Sequence, residues 1–418
     1  MEFQEIAVLI IFVATYLLIA FHKTPLFEIK RPYVAAGGAL LMILAGTISL
    51  TDAFDAINYE LIFLLIGMMC MVAGLEHAGF FTKVTDILLE RSTDRFRLML
   101  LIMLSSAILS AVALNDAVVL MFTPIVIKCC RKLNVNPIPF LVGTMMSANI
   151  GSIATAVGNP QNAFIVTISG MDFITYSLYS LPIAVVCLAI AIILVWSYYR
   201  NKLDAIEITE MDEQDRSVER KPLMAMIIVL VATFIAFALS GYLDYELYQV
   251  ALVSGGISLL IISLSDVHDI PWAVKRVDWG TVLFFIGLFV IIGAASKTGL
   301  IDDISNLFPG FRDGEIPDVL SLSVFSAVLS NLVSNVPAVM LISEMMPVSD
   351  NMLWITLAAS STLAGNTTLI GSAANMIVAE RSEKYGVRFD FLKFMIIGVI
   401  VTVCTVAISD VMILLMFN

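Results

Sequence analysis

The chain has 418 residues, of which 60% are apolar and only 14% charged, with a mean hydropathy of +0.96 and a formal net charge of -12. A soluble domain carries roughly 25% charged residues, so most of this chain must face lipid or other apolar helices. No basic stripe suits a nucleic acid, and the acidic balance comes from loops.

In chain order, apolar runs long enough to span a bilayer, about 17–25 residues, lie near 5–21, 33–50, 59–78, 173–199, 223–241, 247–264, 279–297 and 389–416. The first has neither a basic n-region nor a small-residue cleavage site, so it reads as a retained transmembrane helix. Residues 98–129 and 317–347 are too long for one span and are broken by Asn115-Asp116 and Ser334-Asn335-Val336-Pro337. Each predicts a re-entrant hairpin with a polar tip. Residues 138–168 and 352–380 are broken by Asn149-Ile150-Gly151-Ser152, Gly158-Asn159-Pro160-Gln161-Asn162 and Gly365-Asn366-Thr367-Thr368. Each predicts one crossing helix unwound near its middle.

The two halves match. Gly67 and Gly287, Gly79 and Gly299, and Asn115 and Asn335 are separated by the same interval. Each half crosses five times, so the second must be inverted. The expected fold is an all-α polytopic membrane protein of two inverted repeats, each with five crossings (one broken) and one re-entrant hairpin. The repeats are 1–199 and 223–418, joined by a charged cytoplasmic linker, 200–222. With both termini outside the cell membrane, all of the 23 basic residues except Lys297 and Arg312 fall on the inner side, as the positive-inside rule requires.

Bare polar backbone in hydrocarbon costs several kcal/mol per group, so it survives where it is buried in protein or lines a wet cavity. Broken helices and inverted repeats place a binding site near the midplane of many transporters. The candidate substrate and ion residues are Asn115, Asp116, Ser147, Asn149, Gly158, Asn159, Asn162, Ser334, Asn335, Asn366, Thr367 and Thr368. Asp116 is the one carboxylate expected near the membrane centre, where it needs a proton, a cation or dense hydrogen bonding; its repeat position is Val336. Asp410 reads as interfacial. Glu60, Glu76, Glu344 and Glu380 read as boundary charges, and no Lys or Arg is expected in the core.

The five cysteines form no CxxC pair and read as small apolar side chains. His22, His77 and His268 sit at ends of apolar runs, which gives neither a metal site nor a catalytic base. No phosphate-binding loop is present, so an ATPase partner would be a separate subunit.

The segments ALNDAVVLMFTP (113–124), SANIGSIATAVGNPQN (147–162), LSNLVSNVPAVML (329–341) and AGNTTLIGSAAN (364–375) resemble the ArsB/NhaD group of the ion transporter superfamily. The resemblance covers nearly the whole chain. It implies a two-hairpin transporter with its site between the hairpin tips and the broken helices. The group includes arsenite exporters, Na⁺/H⁺ antiporters and anion permeases; more distant members carry dicarboxylates with Na⁺ through paired Ser-Asn-Thr motifs. Here those motifs are Ser147-Ala148-Asn149 and Gly365-Asn366-Thr367. The function expected is proton- or sodium-coupled transport of arsenite, antimonite or a similar anion. A Na⁺/H⁺ antiporter is the alternative, and a sodium-coupled dicarboxylate transporter ranks third. No cofactor is expected beyond a bound Na⁺, and a homodimer is compatible with the sequence.

Overall fold

The computed structural model describes residues 3–20, 29–203, 220–265, 269–307, 316–347 and 350–417. Most of the expected linker, together with His22, Lys23, His268 and Arg312, lies outside the described residues.

The described residues are helical throughout their regular structure, in two runs of ten helices. The first run is α1 (Phe3–Ala20), α2 (Arg31–Leu44), α3 (Leu50–Asp55), α4 (Tyr59–His77), α5 (Phe80–Arg91), α6 (Arg95–Val112), α7 (Asn115–Lys132), α8 (Pro137–Ser152), α9 (Pro160–Ser169) and α10 (Phe173–Tyr199). The second is α11 (Arg220–Leu243), α12 (Leu247–Ser265), α13 (Ile270–Arg276), α14 (Trp279–Lys297), α15 (Leu300–Leu307), α16 (Ile316–Val333), α17 (Asn335–Ser343), α18 (Asn351–Ala364), α19 (Ala373–Glu383) and α20 (Phe391–Phe417). Element by element, the second run repeats the first.

Among the described residues, eight helices are long and apolar enough to cross a membrane: α4, α6, α10, α11, α12, α14, α16 and α20. Of these, α6 and α16 are first limbs of the hairpins; each is followed after a one- or two-residue break by a limb packed on it, α7 or α17. Beyond their first turns α11 and α20 expose apolar side chains such as Ile228, Val231, Ile235, Val399 and Val403, as lipid contact demands.

The expected span at 33–50 ends early, at Leu44. Gly46 takes φ 68°, Thr47 Oγ1 donates to Met42 O at 2.8 Å, and Ser49 then caps the short α3 by accepting from Asp52 N. A side chain with a Cβ resists that left-handed turn. The short α5 and α15 are also additions to the expected elements. They follow Gly79 (φ 81°) and Gly299 (φ 78°), which hold the same repeat position and the same left-handed conformation.

The halves interlock by exchange. Helix α4 packs along α12, and α14 along α2. Gly67 lies against the backbone of Ala251, and Gly287 against that of Ala35, with no room for a Cβ at either glycine. Without a hydrophobic drive between helices in lipid, such close backbone approach supplies the packing energy.

Candidate functional site

The four interruptions meet. At the first hairpin tip the extended Ala113 ends one limb, and Asn115 N donates to Gly158 O at 2.9 Å, docking the tip on the break between α8 and α9. Gly158 has no room for a Cβ against the Ser152 backbone. At the second tip Ser334 adopts φ 82°, a conformation that costs a non-glycine residue of order 1–3 kcal/mol. With its amide nitrogen turned toward the carbonyls, Asn335 donates to Gly371 O (3.1 Å) and Ser361 O (3.2 Å) and accepts from Gln161 Nε2 (3.3 Å).

The broken helices close their own gaps in the same way. Asn162 Nδ2 donates to Ser152 O at 3.0 Å, and Asn375 Nδ2 donates to Gly365 O at 2.7 Å. The two donors and the two acceptors are each 213 residues apart. Asn159 caps α9 by accepting from Asn162 N (2.8 Å) and donates to Ser152 Oγ (2.9 Å). Between the breaks sits Asn149. Its Nδ2 donates to Asn366 Oδ1 (2.9 Å) and Asn375 Oδ1 (3.2 Å), while its Oδ1 accepts from Ser372 Oγ (3.1 Å) and Asn115 Nδ2 (3.4 Å). All of these amides are buried. The unwound backbone is therefore satisfied inside the protein, as a non-helical segment at membrane depth requires.

Above this layer lies a cavity of about 350 Å³. Its walls include Arg31, Asn115, Asp116, Gln161, Phe284, Ser334, Asn335, Val336 and Ser372, and its mouth carries the exposed Lys30, Asp278 and Glu380. A smaller chamber of about 140 Å³ shares Asp116, Asp278 and Thr281 and reaches the Glu76–Arg276 ion pair, 2.8 Å. Asp116 thus borders both spaces. Asn115 and Asn335, at one repeat interval, line the main cavity side by side with their neighbours Asp116 and Val336.

Of the twelve residues singled out in the sequence, Asn115, Asp116, Ser334 and Asn335 line the cavity. Asn149 and Asn366 lie in the amide layer behind it, and Asn159, Asn162 and Gly158 hold the first break. Ser147 Oγ donates to Gly143 O (2.7 Å) within its own helix. Thr367 Oγ1 donates to Thr402 Oγ1 (3.1 Å) and Thr368 Oγ1 to Asn331 Oδ1 (3.4 Å). These threonines tie the second break to α20 and α16 rather than facing the cavity.

One expectation is corrected. A basic residue does reach the site: Arg31, at the start of α2, donates from Nη1 to Ser334 Oγ at 3.2 Å. Its position after Lys30 reads as a loop charge until the second hairpin tip is brought beside it. Glu380 is exposed at the cavity mouth, as a boundary charge would be. Asp410 is 5% exposed and accepts from Ser323 Oγ at 2.6 Å, so it is buried against α16. Gln161, Ser372 and Asn375 were missed; the interval between Asn115 and Asn335, applied to Asn162, reaches Ser382 instead. Among the described residues no group of His, Cys, Asp and Glu could hold a metal ion, and His77 is engaged with Asp269 at 2.8 Å. Cys404 is exposed, while Cys70, Cys129, Cys130 and Cys187 are buried as expected, and all five are free.

Comparison with known proteins agrees with this architecture. The chain is 30% identical over 427 residues to an uncharacterized transporter of Mycobacterium tuberculosis (strain CDC 1551 / Oshkosh), covering 98% of each. It is 28% identical over 437 residues to the silicon efflux transporter LSI3 of Oryza sativa subsp. japonica, covering 88% of each. The crystal structure of the Alcanivorax borkumensis YdaH transporter, described as having an unusual topology, shares the fold with a TM-score of 0.55 at 13% identity, over 98% of this chain and 97% of that one. The family model described as CitMHS, citrate transporter, matches residues 16–359. With most of its length matched and its motifs in place, the chain belongs to the citrate transporter family, within the ion transporter superfamily that its motifs resemble.

Proposed function

We propose that this chain is a secondary active transporter that carries a small oxyacid, arsenite, antimonite or one chemically similar, across the cell membrane, coupled to a proton at Asp116. The observation that carries the reading is the place of Asp116. It stands in the first turn of α7, at a hairpin tip, on the wall of a cavity floored by the unwound helices. A carboxylate at membrane depth costs about 3 kcal/mol or more when ionised and unpaired. Protonation relieves that cost, and so would Na⁺.

The amides and hydroxyls around the cavity suit a solute rich in oxygen atoms. The silicon transporter among the relatives moves an element whose soluble form is such an oxyacid. Lys30, Arg276 and Arg381 lie on the side that the positive-inside rule assigns to the cytoplasm, so the cavity faces inward in this reading. Both termini are then outside, with repeats at 1–199 and 223–418.

A carboxylate substrate is the second reading, favoured by Arg31 and by the family's description. A pure Na⁺/H⁺ antiporter would leave Arg31 and Ser334 without a role. Proteoliposomes assayed in parallel with arsenite, citrate, sodium and a pH dye decide among the three. The expected result is arsenite or antimonite movement driven by an imposed pH gradient and lost in Asp116→Asn. PH-driven transport at the wild-type rate by folded Asp116→Asn protein would refute proton coupling at this residue. Movement of citrate alone would replace the substrate.

A further inference from the structure

The site is asymmetric in its charge: Asp116 lines it where the repeat position is Val336, and Arg31 brings a cation to the same cavity. A guanidinium offers five N–H donors in a planar fork that matches a carboxylate or oxyanion. Here Nη1 is spent on Ser334 Oγ, and Nη2 makes only a long contact with Ile370 O at 3.5 Å. Nε is buried and has no partner. A buried, unmatched donor on a cation is costly, and one ionised oxygen placed across Nε and an Nη would remove the deficit.

Two independent features point the same way. Helix α19, eleven residues long, begins on the cavity wall without a side-chain cap. Ser372, which should supply that cap, donates to Asn149 instead. The corresponding α9 is capped by Asn159, so one of the two half-helix N-termini is left to attract negative charge. On the opposite wall, Asn115 is 4% exposed, and its Oδ1 is buried without a partner. That acceptor calls for a donor in the cavity.

We propose that Arg31 is the anion-binding residue of this transporter, selecting a substrate that presents an ionised oxygen to its guanidinium and a hydroxyl to Asn115 Oδ1. The class is a hydroxylated oxyanion or hydroxycarboxylate in its ionised form. This rests on the transporter reading for the word substrate, and it narrows that reading to a charged species. Ser334 Oγ orients the guanidinium; its strained backbone is the geometry that delivers the hydroxyl to α2. Asp116, on the same cavity, remains available for the coupling cation.

The test is binding to the purified full-length chain in detergent, read by thermal stabilisation. Citrate is titrated at neutral pH, and arsenite at neutral and at alkaline pH, where it ionises. Wild type should be stabilised by at least one probe, and arsenite should act more strongly as it ionises. Arg31→Gln should weaken binding about tenfold or more and abolish the pH dependence. Arg31→Lys should recover part of the affinity, since it keeps the charge and loses the fork. Size-exclusion profiles identify variants that fold. Wild-type affinity in monodisperse Arg31→Gln, or no stabilisation of the wild type by either probe, would overturn the assignment. Binding that depends on Arg31 without movement in proteoliposomes would instead sink the transporter reading and leave the anion site standing.

Discussion

Asn149 and Asn366 meet at 2.9 Å, the amide of one broken helix donating to the amide of the other. This contact joins the two repeats at the point where each helix unwinds. Asn149 holds four partners in all, so it is the hub through which both breaks and the first hairpin tip share one network.

Asn149→Ala should therefore destabilise the protein out of proportion to its volume. Asn366, Asn375, Ser372 and Asn115 each lose a partner in a buried setting. Each orphaned group costs about 1–3 kcal/mol, so a loss of roughly 3 kcal/mol or more is expected, with transport abolished. Asn366→Ala should cost less, since it removes one of these bonds. Thermal unfolding of both variants and of the double mutant tests the coupling. Additive losses would show that the amides act separately.

Gly67→Val and Gly287→Val should both prevent stable folding, because each drives side-chain atoms into the backbone of a crossing helix. Gly256→Val, on α12 with open space around it, should be tolerated. Yield and monodispersity after detergent extraction separate the three. A well-behaved Gly67→Val protein would contradict the close crossing.

The orientation is open to labelling. A cysteine at Lys202 should react only from the cytoplasm, and one at Asp244 only from outside, in a background where the exposed Cys404 is replaced. Reaction of the Lys202 position in intact cells would invert the topology.

Asp52, on the short α3, is held below the usual carboxylate range. Its hydrogen bond with Lys297, at 2.5 Å, is the main cause, and Ser49 adds to it. A depressed folded value means that the stabilisation is present above the unfolded pKa of about 4 and is lost as pH falls through the folded one. The melting temperature of Asp52→Asn should lie slightly below wild type at neutral pH, and the gap should close in strong acid. The pair is exposed, so a small gap is expected. A gap that persists in acid would assign the effect to Ser49 packing instead.

Hydropathy, the repeat interval and the basic-residue partition determined the long helices, the hairpins, the broken spans and the inverted pairing, but not the short helices such as α5 and α15. Those features are local: a polar break within an apolar run has one structural meaning in lipid, because unsatisfied backbone cannot face hydrocarbon. Asn115, Asp116 and Asn335 were legible as candidate residues on the same grounds, and they line the cavity. Only the tertiary structure decided which polar groups share a cavity. Ser147 turned back on its own helix, and Thr367 and Thr368 turned toward α16 and α20, because a short hydroxyl bonds to whichever carbonyl or hydroxyl lies nearest. Arg31 reads in sequence as one more loop charge beside Lys30. It becomes part of the site because Ser334, some three hundred positions away, is folded to within 3.2 Å of it. That contact depends on the inverted second half docking its hairpin tip against α2, which no local pattern around Arg31 encodes.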